Sequence, residues 1–206
     1  MQNKIQEQKI YDALNPYLMR VTATDEDKKS ILKCFRLEHI HKGEDFMSCG
    51  IDLPEIVILL EGTIIVEMRK PFNSKKNPDD LQCTDIYHLP NDVIIIEHSG
   101  LDTDDHAPET FVANSDCTFI YINKNDLAFL RKNIPVWSAV EVLFYRPALN
   151  NEKNNRKNLL VFDSLERAQK FWDVNKGKLK FANIKLISSL LNFNRNFFKN
   201  ITDKFK

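Results

Sequence analysis

The hydrophobic period constrains this chain more than any other feature, because it changes near Asn123 and divides strand-like from helical sequence. Between Leu37 and Ile122 the apolar residues come in short runs closed by turn signals. Leu37-Glu-His-Ile-His41 alternates and stops at Lys42-Gly43-Glu44. Ile56 to Leu60 is a continuous apolar run closed by Glu61-Gly62, and Thr63 to Met68 runs back from it. Gly62 supplies the freedom in φ that a tight hairpin between these two runs needs. A polar loop from Pro71 to Asp80 follows, then strands near Cys83 to Leu89, Val93 to Ile96, Glu109 to Val112 and Cys117 to Ile122. Short strands broken at this rhythm predict an all-β barrel or jelly roll.

On either side the pattern is helical. Ile5, Ile10, Leu14 and Leu18 form a rough stripe near the N-terminus. Thr24 ahead of Asp25, Glu26 and Asp27 reads as a helix start, with a hydroxyl to cap free N–H groups and acids at the positive end of the helix dipole. Ile31, Leu32 and Phe35 supply that helix's buried stripe. After Asn123, Asn125 to Leu130 is a short helix ending before Pro135. Val136 to Asn158 is a longer one, apolar at Val140, Leu143 and Phe144 and polar from Asn150 onward. Asp163-Ser164 opens a further helix through Leu165, Ala168, Phe171 and Trp172, which Gly177 closes.

Composition narrows the function classes. The chain has 206 residues, 43% hydrophobic and 28% charged, enough to bury a core, which excludes a disordered or disulfide-stapled molecule. Its longest apolar runs are strand-sized, far short of the roughly 20 residues that span a bilayer. Its first ten residues lack the apolar stretch of a signal peptide. A soluble, cytoplasmic protein with no membrane partner is expected. Cys34, Cys49, Cys83 and Cys117 are scattered without zinc-site spacing, so they are expected to be packing residues and no metal or other cofactor is expected. His39 and His41 fall on one face of a strand at i and i+2, but no third metal ligand accompanies them. Asp102, Asp104, Asp105 and His106 resemble a cation loop in ligand type, although such a run is more often a solvated turn. With five scattered histidines, five glycines, no nucleophile triad and no phosphate-cradling loop, an enzyme is not expected.

The 29 basic residues balance the 29 acidic ones, yet the charge is segregated. Asp79 to Asp126 holds eleven acids against one base, and Lys176 to Lys206 holds eight bases against one acid. Two regions with different partners are implied. In the basic segment, Ile184, Ile187, Leu190 and Leu191 share a helical face, Asn192-Phe193 interrupts it, and Asn194 can cap a second helix. That helix buries Phe198, Ile201 and Phe205 and turns Arg195, Asn196, Lys199 and Asn200 outward. Two short helices joined by a tight turn, the second polar outside, make a helix-turn-helix able to enter a major groove. Arg and Lys there suit phosphate or guanine, and Asn suits adenine. A helical subdomain packed on the barrel is the alternative for this segment.

His41-Lys-Gly-Glu44, Leu59-Leu-Glu-Gly62, Ala113-Asn-Ser-Asp-Cys-Thr118 and Ile184-Lys-Leu-Ile-Ser-Ser-Leu-Leu-Asn-Phe-Asn194 occur in an order that resembles the Crp-Fnr transcription regulators. The resemblance covers nearly the whole chain. It implies an α+β architecture: an N-terminal double-stranded β-helix, that is, a jelly-roll-like β-roll, with a long connecting helix and a C-terminal helix-turn-helix bundle. The expected boundaries are 1–134 for a cyclic-nucleotide-binding-like sensor, 135–160 for a dimerisation helix and 161–206 for a DNA-binding domain without the family's winged hairpin. Homodimers on double-stranded DNA are implied, with Asn194, Arg195, Asn196, Phe197, Lys199 and Asn200 facing the duplex.

The departures from the family pattern carry information of their own. Cyclic-nucleotide binders of the family place Gly-Glu and then Arg-Ser/Thr-Ala around the nucleotide, where this chain has Asn91-Asp92 and Glu109-Thr110. Glu109 stands where the phosphate-neutralising Arg belongs, and a carboxylate repels a cyclic phosphate. Asn91, Asp92, Glu109 and Thr110 are thus the candidate effector pocket, for an effector of unknown identity other than cyclic AMP. Pro147 interrupts the dimer helix, so pairing is expected to rest on Val136 to Leu149. Phe197 and Asn200 replace a small polar residue and an arginine of the family's recognition helix. The leading expectation is a DNA-binding transcription regulator. The alternative is a degenerate β-roll that acts through protein contacts without DNA.

Overall fold

The computed structural model describes residues 2–45, 54–69, 81–87, 92–96, 109–161, 163, 165–167 and 169–170. Helices α1 (Gln2–Leu18) and α2 (Asp25–Cys34) precede seven strands: β1 (Arg36–Ile40), β2 (Pro54–Glu61), β3 (Ile64–Arg69), β4 (Leu81–Tyr87), β5 (Val93–Ile95), β6 (Glu109–Ala113) and β7 (Cys117–Asn123). Helices α3 (Lys124–Asn133) and α4 (Trp137–Val161) follow. The α2 start is the one its sequence predicts. Thr24 Oγ1 accepts from Asp27 N at 3.1 Å, while Asp27 Oδ2 accepts from Thr24 N at 3.0 Å. This reciprocal box satisfies donors that the first helical turn leaves unpaired.

The strands form two antiparallel sheets, β1-β7-β2-β5 and β4-β3-β6. Their facing sides enclose one core: Val57, Leu59, Phe119 and Tyr121 from the larger sheet meet Ile64, Val66, Phe111 and Ala113 from the smaller. The outer side of the larger sheet is buried too. There Ile56, Ile58, Ile120 and Ile122 pack beneath Leu14 and Leu18 of α1, Ile31 of α2, Leu127 of α3, and Val140 and Phe144 of α4. The result is three layers, helices on a sheet on a sheet. It explains why β2 reads as an unbroken apolar run and why every residue of β7 is buried. A strand covered on both faces has no side on which alternating polar residues would be wetted.

Three expectations are corrected. The runs on either side of Gly62 do not form a hairpin, because β2 pairs with β5 and β7 while β3 pairs with β4 and β6. Gly62, at φ +99°, instead turns the chain from one sheet into the other. Ile5 is 57% exposed, and the buried stripe of α1 is Ile10, Ala13, Leu14 and Leu18, because the helix reaches its neighbours only from its third turn onward. His41 lies past the end of β1, so it shares no strand face with His39.

Candidate functional site

Three of the four sequence motifs, far apart along the chain, meet at one corner of the roll. The turn His41–Glu44 closes through Glu44 N donating to His41 O at 3.0 Å, with Gly43 at φ +91°. It is stitched to the end of β6 by Gly43 N to Ala113 O at 2.7 Å and Ala113 N to Glu44 O at 2.8 Å. Lys42 N donates to Asp116 Oδ1 at 2.9 Å. On the other side, Asn114 N donates to Thr63 O at 2.8 Å, and Thr63 N to Ser115 Oγ at 3.0 Å. The Cys117 thiol sits between the Ser115 and Thr63 carbonyls, at 3.1 and 3.4 Å. Burial pushes that thiol above its ordinary pKa, as it does for Cys34. Protonated and enclosed, both behave as packing groups.

No Cβ fits at Gly62. One built there would lie 2.5 Å from the Asp116 carbonyl oxygen and 2.6 Å from the Cys117 sulfur. The motif residues therefore answer to the geometry of the corner, with backbone groups satisfied where the two sheets join. Beside it runs a polar ladder on the outer face of the larger sheet. His39 Nδ1 meets Thr118 Oγ1 at 2.9 Å, and the Thr118 hydroxyl reaches Glu61 Oε2 at 3.5 Å. The described residues include no group of three or more His, Cys, Asp or Glu side chains placed to hold a metal.

Of the candidate effector residues, Glu109 and Thr110 belong to the smaller sheet and Asp92 borders the larger. Asp92 immediately precedes β5, and its carbonyl accepts from Leu59 N at 2.9 Å. Thr110 is in β6 of the smaller sheet, opposite Glu67 and on the face away from Phe111 and Ala113. Glu109 begins β6, paired with Met68. Asn91 and the acidic loop with Asp102, Asp104, Asp105 and His106 lie outside the described residues. Asp92 is near enough to Tyr17 of α1 for its charge to help hold the phenol above its usual pKa, after burial as the main cause. Sequence periodicity offered no sign of that neighbour. An open groove of about 320 Å³ lies elsewhere, between α1 and β1, lined by Gln6, Ile10, Phe35 and Arg36 among others.

The first half of α4 is bound to the roll by aromatic packing. Trp137, Val140 and Phe144 are fully buried, and the Tyr17 and Phe144 rings lie 4.5 Å apart, tilted by 60°. The same half is tied to α3 by Arg131, whose Nε donates to Glu141 Oε1 at 3.0 Å. That hydrogen-bonded carboxylate raises the guanidinium pKa further, keeping the charge fixed. The indole Nε1 of Trp137 is buried without an acceptor among the described residues. On the opposite side of α4, Val142 and Leu149 are 57% and 60% exposed. Asn194, Arg195, Asn196, Phe197, Lys199 and Asn200 lie outside the described residues, as do the helices proposed to carry them.

The described residues form a double-sheet roll flanked by helices and continued by one long helix. No protein-family model matches the sequence, and no curated protein matches it. Solved structures do match the fold. A CooA mutant from Carboxydothermus hydrogenoformans superposes with a TM-score of 0.59 at 16% identity, over 91% of this chain and 86% of its own. A transcriptional regulator of the Crp-Fnr family from Eubacterium rectale gives 0.58 at 14%, over 89% and 83%. CLP of Xanthomonas campestris, described as a c-di-GMP-responsive global regulator, gives 0.55 at 11%, over 88% and 91%. The chain thus has the fold of Crp-Fnr regulators. No described helix is long and apolar enough to cross a membrane.

Proposed function

We propose that this chain is a DNA-binding transcription regulator of the Crp-Fnr type, acting as a homodimer and not answering to cyclic AMP. The observation that carries the reading is the likeness in fold, which covers 91% and 89% of this chain in two solved structures, together with the strongly basic C-terminal segment of the sequence. Residues 161–206 form the DNA-binding part, with Arg195 and Lys199 on phosphate or guanine and Asn194, Asn196 and Asn200 reading or positioning bases. Phe197 suits contact with a thymine methyl. The dimer forms along α4, where Val142 and Leu149, seven residues apart on one face, offer apolar surface to a second copy. An effector, if one acts, is recognised around Asn91, Asp92, Glu109 and Thr110 and shifts the population of dimer geometries. The carboxylate of Glu109, in the place of an arginine, disfavours a cyclic phosphate.

Selection of bound duplexes from random DNA tests the reading directly. A defined, two-fold-related motif is expected, with binding that weakens steeply as salt rises and a shallower salt slope in an R195A/K199A variant. Enrichment of no motif, with salt-independent capture of a protein partner instead, would sink it in favour of a roll acting through protein contacts. Calorimetry with cyclic AMP is expected to show no micromolar binding. Leu149→Asp is expected to shift sedimentation from dimer to monomer.

A further inference from the structure

Helix α4 changes character at one residue. Up to Tyr145 it is part of the roll: Trp137, Val140 and Phe144 are buried, Leu143 and Tyr145 are half-buried, and Glu141 is held by Arg131. Beyond it, Arg146, Pro147, Leu149, Asn150 and Val161 are all exposed. Pro147 sits within three residues of the last buried contact, Phe144, and inside a helix that continues to Val161. It has no N–H to give the Leu143 carbonyl, and its ring crowds that same oxygen. The following Asn150-Asn-Glu-Lys-Asn-Asn-Arg-Lys-Asn158 is built of residues that include five weak helix formers, its asparagines.

We propose that Pro147 is a hinge, making α4 a lever with one half fixed to the roll and an outgoing half whose direction is set independently. Bends in helices concentrate where a ladder hydrogen bond is missing. Here the missing bond falls where packing stops, so bending there leaves the aromatic contacts of Tyr17, Phe144 and Trp137 intact. Val161 lies fourteen positions beyond Pro147. At a rise of about 1.5 Å per residue, a bend of about 20° swings the helix end by about 7 Å. Such a swing is large enough to change the separation of two DNA-binding segments. That use of the hinge rests on the function proposed above, whereas the hinge itself is a property of this chain.

Pulsed dipolar spectroscopy on the full-length protein tests it, with spin labels carried by unnatural amino acids so that the four cysteines stay in place. The labelled chain is diluted in unlabelled chain so that only distances within one chain are read. One pair, Lys124 and Val161, spans the proline; a control pair, Lys124 and the exposed Ala139, does not. The spanning pair is expected to show a distance distribution about 7 Å broader than the control. Pro147→Ala is expected to remove the excess breadth while leaving the control pair unchanged. Equal breadth in the two pairs, or excess breadth that survives Pro147→Ala, would overturn the hinge. Neither result depends on DNA binding, so failure here and failure of the regulator reading are separately visible.

Discussion

Gly43 and Gly62 share a backbone conformation and differ in their surroundings, which lets one pair of variants separate backbone strain from crowding. Both have φ near +90°, at +91° and +99°. An alanine at either site incurs about 1–2 kcal/mol for the left-handed conformation, partly offset by the lower entropy of its unfolded chain. A Cβ at Gly43 would meet nothing within 4 Å, so Gly43→Ala should cost only about 1 kcal/mol. At Gly62 the Cβ would approach Asp116 O at 2.5 Å, Cys117 Sγ at 2.6 Å and Cys117 Cα at 2.9 Å. Two of these atoms are backbone, and the sulfur is held between two carbonyls. None can swing away, so overpacking adds about 1–3 kcal/mol. Urea unfolding, followed by fluorescence of buried Trp137 in a Trp172→Phe background, should place the Gly62→Ala midpoint about 1 M below that of Gly43→Ala, for a slope near 2 kcal/mol per molar. Coincident midpoints would refute the idea that the β7 backbone fills the space a side chain at position 62 would need.

Further outcomes follow from the same structure. Phe144→Ala removes a fully buried ring that touches Tyr17 and Trp137, and should destabilise the fold by about 3–5 kcal/mol in the same unfolding assay. Thr24→Ala deletes the α2 cap and should cost about 1 kcal/mol, with the loss of amide protection confined to the first turn of that helix under hydrogen exchange. Burial raises the Cys34 and Cys117 thiols above their ordinary value of 9.0, so the folded state keeps protons there that the unfolded state releases. Stability from these groups is full below about pH 9 and falls as pH rises through their folded values. Unfolding midpoints measured across that window should decline, and Cys117→Ala should make the decline shallower.

Local features were legible in the sequence because their causes are local. The Thr24 cap depends on residues within one helical turn, and the seven strands follow from apolar runs closed by turn residues. The positive φ at Gly43 and Gly62 follows from the lack of a side chain. Pairing was not legible, since alternation fixes which residues share a face of a strand but not which strand lies beside it. A left-handed glycine serves a hairpin or a passage between sheets equally well, and only the placement of β2 and β3 in different sheets makes Gly62 the passage. Likewise, the run Ile56 to Leu60 established burial, while the stacking of helices on the far side of the sheet decided that both faces needed it.

The Crp-Fnr-like motifs were visible as strings of residues, and their meeting at one corner depends on hydrogen bonds between positions more than fifty residues apart, as from Thr63 to Ser115. The same holds for Tyr17 against Phe144 and for the exposure of Ile5, where a helical stripe could mark the apolar positions but not how far the neighbouring layer extends. By itself the sequence determined the described strands and helices, their order, the cap of α2 and the segregation of charge. The tertiary structure alone decided which of those elements touch, because contact free energy depends on neighbours that the chain brings together only by folding.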